Sequence, residues 1–243
     1  MKYRAAAILC TMVLTAGAFS GCGNDGADTA ETENSSQEES VSEEAVSEEE
    51  AAAAGFSDGT DEEGNITGET VLDTSKELTG IHHANISIEG YGDIEIELDA
   101  DTAPITVTNF VKLAQEDFYD GLTFWRIMDG FMMQGGDPLG NGTGGADENI
   151  KGEFANNGVE NDISHTRGTV SMARASDPDS ASSQFFIVQA DSTFLDGDYA
   201  GFGHVTEGMD IVDQICKDAK PTDNNGTIAA EEQPVIESIT ILD

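Results

Sequence analysis

Residues 124–137 read Phe-Trp-Arg-Ile-Met-Asp-Gly-Phe-Met-Met-Gln-Gly-Gly-Asp, an apolar run that contains one arginine and then becomes rich in glycine. The apolar run covers residues 122–128, and its length is typical of a short β-strand. Taken alone, Arg126 could be a surface ion-pair partner in this acidic protein. Seven glycines lie within residues 130–145, which indicates a loop that runs close to another backbone or to a ligand.

Short segments of alternating apolar and polar residues surround this run. Residues 85–89 and 93–98 alternate on either side of a Gly-Tyr-Gly sequence, which predicts an antiparallel hairpin with one solvent-facing side. Further short apolar runs occupy residues 168–173, 184–188, 202–205 and 235–242. Many short strands with few helices favour a closed β-barrel or a β-sandwich.

Two helices are predicted from apolar residues spaced three and four positions apart. The first begins behind Pro104 and ends near Asp117. Its apolar face consists of Val107, Phe110, Val111 and Ala114. The apolar face of the second consists of Met209, Val212, Ile215 and Cys216. Cys216 is therefore predicted to be a buried core thiol.

The composition excludes several classes of function. The 243 residues include 48 Asp and Glu against 10 Lys and Arg, a formal net charge of −38 at pH 7. Such a charge repels nucleic-acid phosphates, so no nucleic-acid partner is expected. Three cysteines cannot build a disulfide framework or a four-ligand zinc site. The length indicates one domain with an appendage.

The N-terminus has the features of a secretory signal peptide over residues 1–21. A basic start precedes an apolar run over residues 5–18, which is too short to span a bilayer. The small residues before Cys22 resemble the lipobox of bacterial lipoproteins, which implies a lipid anchor on Cys22. An ordinary signal peptide followed by an incidental cysteine is the alternative. The anchor predicts an extracytoplasmic protein attached to the bacterial cell membrane.

A highly acidic segment connects Cys22 to the rest of the chain. Residues 23–80 hold 18 Asp or Glu and one lysine, a net charge of −17. Low hydrophobicity with high net charge prevents the burial of enough surface to offset chain entropy, so residues 22–80 are predicted to be a disordered acidic linker. The folded domain is then predicted over residues 81–243, where the net charge is −23.

Several motifs with known chemistry are present only in part. Residues 140–145 match G-x-G-x-x-G, but no amphipathic helix follows them and no βαβ unit surrounds them. The four histidines lack metal-ligand spacing. No Ser-His-Asp order stands out around Ser171 or Ser183. We therefore predict no cofactor and no metal.

Five motifs occur in order along the predicted domain, at residues 124–137, 168–173, 183–187, 194–197 and 202–203. Together they resemble the signature of cyclophilins, the peptidyl-prolyl cis-trans isomerases, over nearly all of residues 81–243. The resemblance implies a mostly β fold, a closed eight-stranded antiparallel β-barrel capped by two α-helices. Phe194 stands where many eukaryotic members carry tryptophan, so the chain resembles the bacterial subgroup.

The same resemblance implies the roles of individual residues. Arg126 is implied as the catalytic donor, and Gln134 as the residue that orients Arg126 and the substrate carbonyl. The substrate-binding residues of the proline pocket and its border are implied to be Phe131, Met132, Phe186, Phe194, Leu195 and Tyr199. The residues that pair with or flank the peptide backbone are implied to be Ala173, Arg174 and Gln184.

Rotation about an X-Pro bond breaks no covalent bond, so this chemistry needs no nucleophile. The predicted function is isomerisation of X-Pro bonds in unfolded or exported polypeptides by a monomer tethered to the membrane. Two alternatives are a non-catalytic cyclophilin-like binding module and a structural surface lipoprotein whose acidic arm is the functional part. From the residues alone, Phe131, Met132 and Phe186 could also be ordinary core residues.

Overall fold

The computed structural model describes residues 71–243. The strands are β1 (Ile81–Ile88), β2 (Gly92–Asp99), β3 (Thr123–Met128), β4 (Met132–Asp137), β5 (Thr169–Met172), β6 (Phe185–Val188), β7 (Gly201–Glu207) and β8 (Ile236–Ile241). The helices are α1 (Pro104–Gln115) and α2 (Met209–Asp218). Within the described residues, neither helix is long and apolar enough to cross a membrane. The predicted signal peptide, Cys22 and the linker up to residue 70 lie outside these residues.

All eight strands form one antiparallel sheet in the order β3-β4-β6-β5-β7-β2-β1-β8. The predicted hairpin is β1 and β2, whose residues pair from Ile81 with Asp99 to Ile88 with Gly92. Alternate residues of β2 are buried because successive side chains of a strand point to opposite faces. One face of the sheet, together with α1 and α2, therefore encloses the main core.

The predicted closed barrel is wrong, because the sheet is open between its edge strands β3 and β8. These edges are joined at one end only, by the isolated bridge between Thr123 and Val235 and by backbone hydrogen bonds between residues 121–124 and 234–236, and they do not form a ladder. The Pro234 carbonyl accepts from Phe124 N at 2.9 Å, and Pro234 itself has no N–H donor with which to extend this pairing. The rest of the β3 edge pairs instead with residues 226–228, through backbone hydrogen bonds of 2.8 and 2.9 Å.

Both predicted helices are confirmed. Pro104 occupies the first turn of α1, where a missing N–H leaves no hydrogen bond unmade. The Glu153 carboxylate accepts hydrogen bonds from Ile105 N (3.0 Å) and Thr106 N (2.8 Å). A distant side chain thus satisfies donors that the start of a helix leaves open. Cys216 of α2 is buried in the main core, as predicted.

Residues 71–80, which precede the predicted domain boundary at residue 81, are in contact with the domain. Leu72 and Leu78 pack against the main core. The Gln115 side chain of α1 exchanges hydrogen bonds with the backbone of Leu72, and Leu78 N donates to Thr108 Oγ1 at 2.8 Å. These contacts show that residues 71–80 pack with the domain. The sequence did not reveal this, because the high net charge of residues 23–80 outweighs the signal of two leucines.

Strand β4 is the strand that the sequence analysis did not predict, because its residues include Gly135 and Gly136, and glycine weakens a strand. A Cβ at Gly135 would lie 2.9 Å from the Phe124 ring, and a Cβ at Gly136 would lie 2.5 Å from the Ser183 carbonyl oxygen. Glycine therefore permits β4 to lie close to its neighbours. The glycine-rich segment therefore runs close to another backbone, as expected, but its first part is strand β4 and the predicted loop begins only after Asp137.

We expect Gly136→Ala to destabilise the protein more than Gly158→Ala does. Both glycines have a positive φ, 78° and 77°, so each substitution carries a conformational cost of about 1–2 kcal/mol. Only the methyl group at position 136 meets a neighbouring atom within 4 Å, and overpacking adds roughly 1–3 kcal/mol. Urea denaturation measures the difference, and equal losses in the free energy of unfolding would contradict this account of β4.

Candidate active site

Neighbouring strands place Arg126, Gln134 and Phe186 side by side. Arg126 of β3 lies opposite Gln134 of β4, and Gln134 lies opposite Phe186 of β6. Phe186 in turn lies opposite Ser171 of β5. Side chains of directly opposed residues point to the same face of an antiparallel sheet. The register therefore assembles one row from an arginine, an amide, a phenyl ring and a hydroxyl that come from three of the five motifs.

An apolar cluster that is separate from the main core includes Phe186 of this row, and we call it the outer cluster. Its buried members are Met132, Phe186 and Val188. The residues packed around them are Met128, Phe131, Ala173, Leu195 and Tyr199. Intervening strand residues such as Met133 and Ile187 belong to the main core instead. Phe131, Met132 and Phe186 are therefore not part of the main core, which was the alternative to a binding role.

Three contacts hold the Arg126 guanidinium at the edge of the outer cluster. Nε donates to the Asn225 carbonyl at 2.8 Å, and Nη1 donates to Gln134 Oε1 at 3.2 Å. Nη2 lies 3.4 Å from the Met128 sulfur. Asn225 belongs to the segment that covers the β3 edge, and no motif near Arg126 identifies it as a partner. These contacts orient a planar, permanently charged group.

Gln134 belongs to a chain of amide hydrogen bonds. Its Nε2 donates to Gln184 Oε1 at 3.0 Å, and Gln184 Nε2 donates to the Gly144 carbonyl at 2.8 Å. This arrangement turns Gln134 Oε1 toward Arg126. Trp125 Nε1 also donates to Gln184 Oε1, at 3.1 Å. The sequence pattern did not identify Trp125 as a site residue, because Trp125 and Arg126 are adjacent and adjacent residues of a regular strand point to opposite faces. Strand β3, however, has a register shift between Phe124 and Arg126.

Aromatic rings border the outer cluster. Phe131 and Phe194 pack with ring centroids 5.6 Å apart and planes tilted by 34°. Phe194 lies in the short turn Thr193–Leu195, and 72% of it is exposed. Tyr199 packs edge-on against Phe186 at a centroid distance of 5.9 Å. An exposed phenyl ring beside a buried apolar surface indicates a place where an apolar ligand can bind.

The Arg174 guanidinium is bonded within the protein. Nε donates to the Asp198 carbonyl and Nη1 donates to the Ala175 carbonyl, both at 2.9 Å. The guanidinium carbon lies 4.8 Å from the Tyr199 ring centroid and 5.1 Å from that of Phe154. Arg174 therefore supports Tyr199 through a cation–π contact. The expected contact of Arg174 with a substrate backbone stays a prediction.

A buried polar chain lies next to Phe186. His165 Nδ1 is 2.9 Å from Asp196 Oδ1, and His165 Nε2 is 2.9 Å from Ser171 Oγ. The imidazole stacks on Phe186, with planes 18° apart. Burial lowers the pKa of His165, although the Asp196 carboxylate acts in the opposite direction. Ser171 is fully buried, so this Asp-His-Ser set, which the sequence order did not reveal, cannot reach a substrate.

The fold and the site define an antiparallel β-sheet protein with an anchored arginine beside an apolar binding surface. The family model described as "Cyclophilin type peptidyl-prolyl cis-trans isomerase/CLD" matches residues 83–242. The chain therefore belongs to the cyclophilin-type peptidyl-prolyl cis-trans isomerase family. The enzyme class predicted from the sequence is confirmed.

Proteins of this family from bacteria are similar to the described domain. A peptidyl-prolyl cis-trans isomerase of Acinetobacter baylyi is 43% identical over 144 residues, which are 54% of this chain and 72% of that protein. Peptidyl-prolyl cis-trans isomerase B of Bacillus subtilis is 47% identical over 124 residues, which are 51% of this chain and 83% of that protein.

Crystal structures show the same fold. A cyclophilin-type peptidyl-prolyl cis-trans isomerase of Cryptosporidium parvum superimposes with a TM-score of 0.60 at 27% identity, covering 68% of this chain and 99% of that one. The same protein in the presence of the dipeptide Ala-Pro superimposes with a TM-score of 0.59 at 28% identity, covering 66% of this chain and 99% of that one.

We expect His165 to make the stability of the protein depend on pH. Because burial lowers its pKa in the folded state, the unfolded chain takes up this proton first as the pH falls. The free energy of unfolding should therefore decrease below about pH 6.5, by at most about 1.4 kcal/mol per pH unit. Denaturation between pH 8 and pH 5.5 measures this slope.

The variant His165→Gln should flatten that pH dependence, and His82→Gln, which changes a partly exposed histidine near the start of β1, should preserve it. An unchanged slope in the His165 variant would show that this imidazole is not the group responsible.

Proposed function

We propose that this chain accelerates cis-trans isomerisation of X-Pro bonds in unfolded or exported polypeptides, at the outer cluster. The observation that carries the proposal is the row of Arg126, Gln134 and Phe186 beside that cluster. The row supplies an apolar surface for a proline ring with a charged donor next to it. Membership of the family supports the same activity.

The reaction requires a site that favours a twisted amide. Resonance in the peptide bond produces a rotational barrier of about 18–20 kcal/mol. In the proposed complex the proline ring rests on Met132 and Phe186, bordered by the Phe131 and Phe194 rings. Because the proline ring is held, the carbonyl group of the residue before the proline is the part that rotates. Contacts of this kind bind both planar isomers equally and therefore contribute affinity rather than rate.

The rate enhancement is assigned to Arg126. As the amide twists, the prolyl nitrogen gains lone-pair character and becomes a hydrogen-bond acceptor. Arg126 donates to this nitrogen, an interaction that is absent from both planar states and so stabilises the transition state selectively. Gln134 supports this step because its Oε1 accepts from Arg126 Nη1, and it is also proposed to orient the substrate carbonyl.

We expect Arg126→Ala to lower kcat and kcat/KM together. One donor aimed at developing charge in a partly dehydrated site contributes about 2.7–4 kcal/mol, so the loss should be roughly 100- to 1,000-fold. Arg126→Lys should recover part of the rate, because an ammonium cannot reproduce the planar fork of a guanidinium. Isomerisation of a short X-Pro peptide measures both variants, with circular dichroism and melting temperature as folding controls.

Phe131→Ala serves as the contrasting variant, since it removes ground-state binding and should mainly raise KM. Near-normal turnover by a folded Arg126→Ala protein would remove Arg126 from the mechanism and assign catalysis to the remaining site residues.

The proposed location is the outer face of the bacterial cell membrane, with a lipid on Cys22 as the anchor. A basic start, a short apolar run and small residues before Cys22 support this location. A diacyl group carries two chains, which suffice for stable attachment where one chain is marginal.

We expect mass spectrometry of the membrane fraction to find Cys22 as a lipidated N-terminus. Cys22→Ala should abolish the modification and move the protein out of the membrane fraction. Cys10→Ala is the matched control, because Cys10 lies within the segment that processing removes, and it should leave the anchor intact. An unmodified Cys22, or a mature chain that begins elsewhere, would eliminate the anchor without affecting the isomerase assignment.

A further inference from the structure

The position of the Arg126 guanidinium depends on the turn of residues 223–227. Its Nε donates to the Asn225 carbonyl at 2.8 Å. Residues 221–225 are all solvent-exposed, so core packing does not set their conformation. The geometry of the guanidinium therefore depends on the hydrogen bonds that hold this turn.

Asp223 supplies three of those hydrogen bonds. Oδ1 accepts from Asn225 N at 2.9 Å and from Thr227 N at 3.0 Å. Oδ2 accepts from Thr227 Oγ1 at 2.9 Å. An aspartate that bonds the backbone two residues further on forms an Asx turn, which defines the chain direction locally. These bonds, first of all that from Thr227 N, lower the pKa of Asp223 and keep it an ionised acceptor.

The turn is also bonded directly to β3. Thr227 forms an isolated bridge with Arg126, and the Gly226 carbonyl accepts from Ile127 N at 2.8 Å. A Cβ at Gly226 would lie 2.5 Å from Met128 Cγ, so the turn is in close contact with the strand. Asp223, the turn and the arginine side chain thus form one continuous set of contacts.

We propose that Asp223 is a positioning residue for the isomerase reaction. Its carboxylate fixes the turn of residues 223–227, so that the Asn225 carbonyl holds Arg126 beside the outer cluster. The inference rests on the proposed role of Arg126. Asp223 is not a member of the outer cluster, which binds the proline ring. Its removal therefore affects the turnover of bound peptide more than peptide affinity.

The chain contains a matched control for this test. Asp99, at the end of β2, accepts from Asp101 N (3.1 Å), Thr102 N (2.9 Å) and Thr102 Oγ1 (2.7 Å). The two aspartates thus make the same kinds of hydrogen bond. Asp99 organises the turn between β2 and α1, and β2 does not pair with β3, so this turn is not the one that contacts Arg126.

The experiment compares Asp223→Ala, Asp223→Asn and Asp99→Ala in the full chain, with a short X-Pro peptide as substrate. We expect Asp223→Ala to lower kcat by roughly ten- to a hundred-fold, the effect of a small misplacement of a catalytic group, with KM unchanged. Asp223→Asn should restore most of the turnover, because its amide oxygen can still accept both backbone N–H groups. Asp99→Ala should keep the wild-type kcat, even where it lowers the melting temperature.

Nuclear magnetic resonance observes the position of Arg126 independently of activity. Residues 71–243 contain three arginines, so their Nε–H signals can be assigned by substitution. Asp223→Ala should expose the Arg126 Nε–H to solvent exchange. The Arg174 Nε–H, which donates to Asp198 O, should remain protected in the same spectrum.

A double-mutant cycle separates positioning from a general loss of structure. In the Arg126→Ala background, Asp223→Ala should cause no further loss of kcat. A further loss of the same size, a wild-type kcat in Asp223→Ala, or an equal loss in Asp99→Ala would overturn the inference. Wild-type turnover in Arg126→Ala alone would refute the proposed role of Arg126, and the Nε–H signal would still decide whether Asp223 positions it.

Discussion

The pairing of β4 with β3 on one side and β6 on the other is the constraint on which the site depends. It places Phe186 in one row with Arg126 and Gln134, although Phe186 belongs to a different motif of the chain. Two adjacent glycines permit this pairing, since a side chain at Gly135 or Gly136 would contact Phe124 or the Ser183 carbonyl. The residues that weaken β4 as a strand are therefore the ones that allow it to lie between its neighbours.

Apolar residues occupy both faces of the sheet. One face, covered by α1 and α2, forms the main core, and the other carries the outer cluster of Met132, Phe186 and Val188. A small apolar surface on the outside of a sheet is unfavourable in water unless something covers it. Leu195 and Tyr199 cover part of it, and a proline ring is the proposed ligand for the rest.

Hydrogen bonds rather than packing orient the polar groups around that surface. Gln184 joins Gln134 to the Gly144 carbonyl, and the buried His165 joins Asp196 to Ser171 behind Phe186. Networks of this kind are rigid when every member is satisfied. Residues 71–243 have no buried side-chain nitrogen or oxygen without a hydrogen-bond partner, so the buried part of these networks is fully satisfied.

Local patterns in the sequence were enough to predict both helices and seven of the eight strands, whereas the residues gathered around the outer cluster were implied by the resemblance to cyclophilins. Those features depend on spacing along the chain, such as the alternation in β2 and the apolar face of α1. The pattern could not predict β4, because glycines carry no apolar signal. It could not predict the open sheet either, because the pairing of the edge strands β3 and β8 is not a local property of the chain. The anchoring of Arg126 by Asn225 and the approach of Asp196 to His165 were also decided by the tertiary structure. Contacts between residues distant in sequence arise only when strand order and register are established, and no local spacing encodes them.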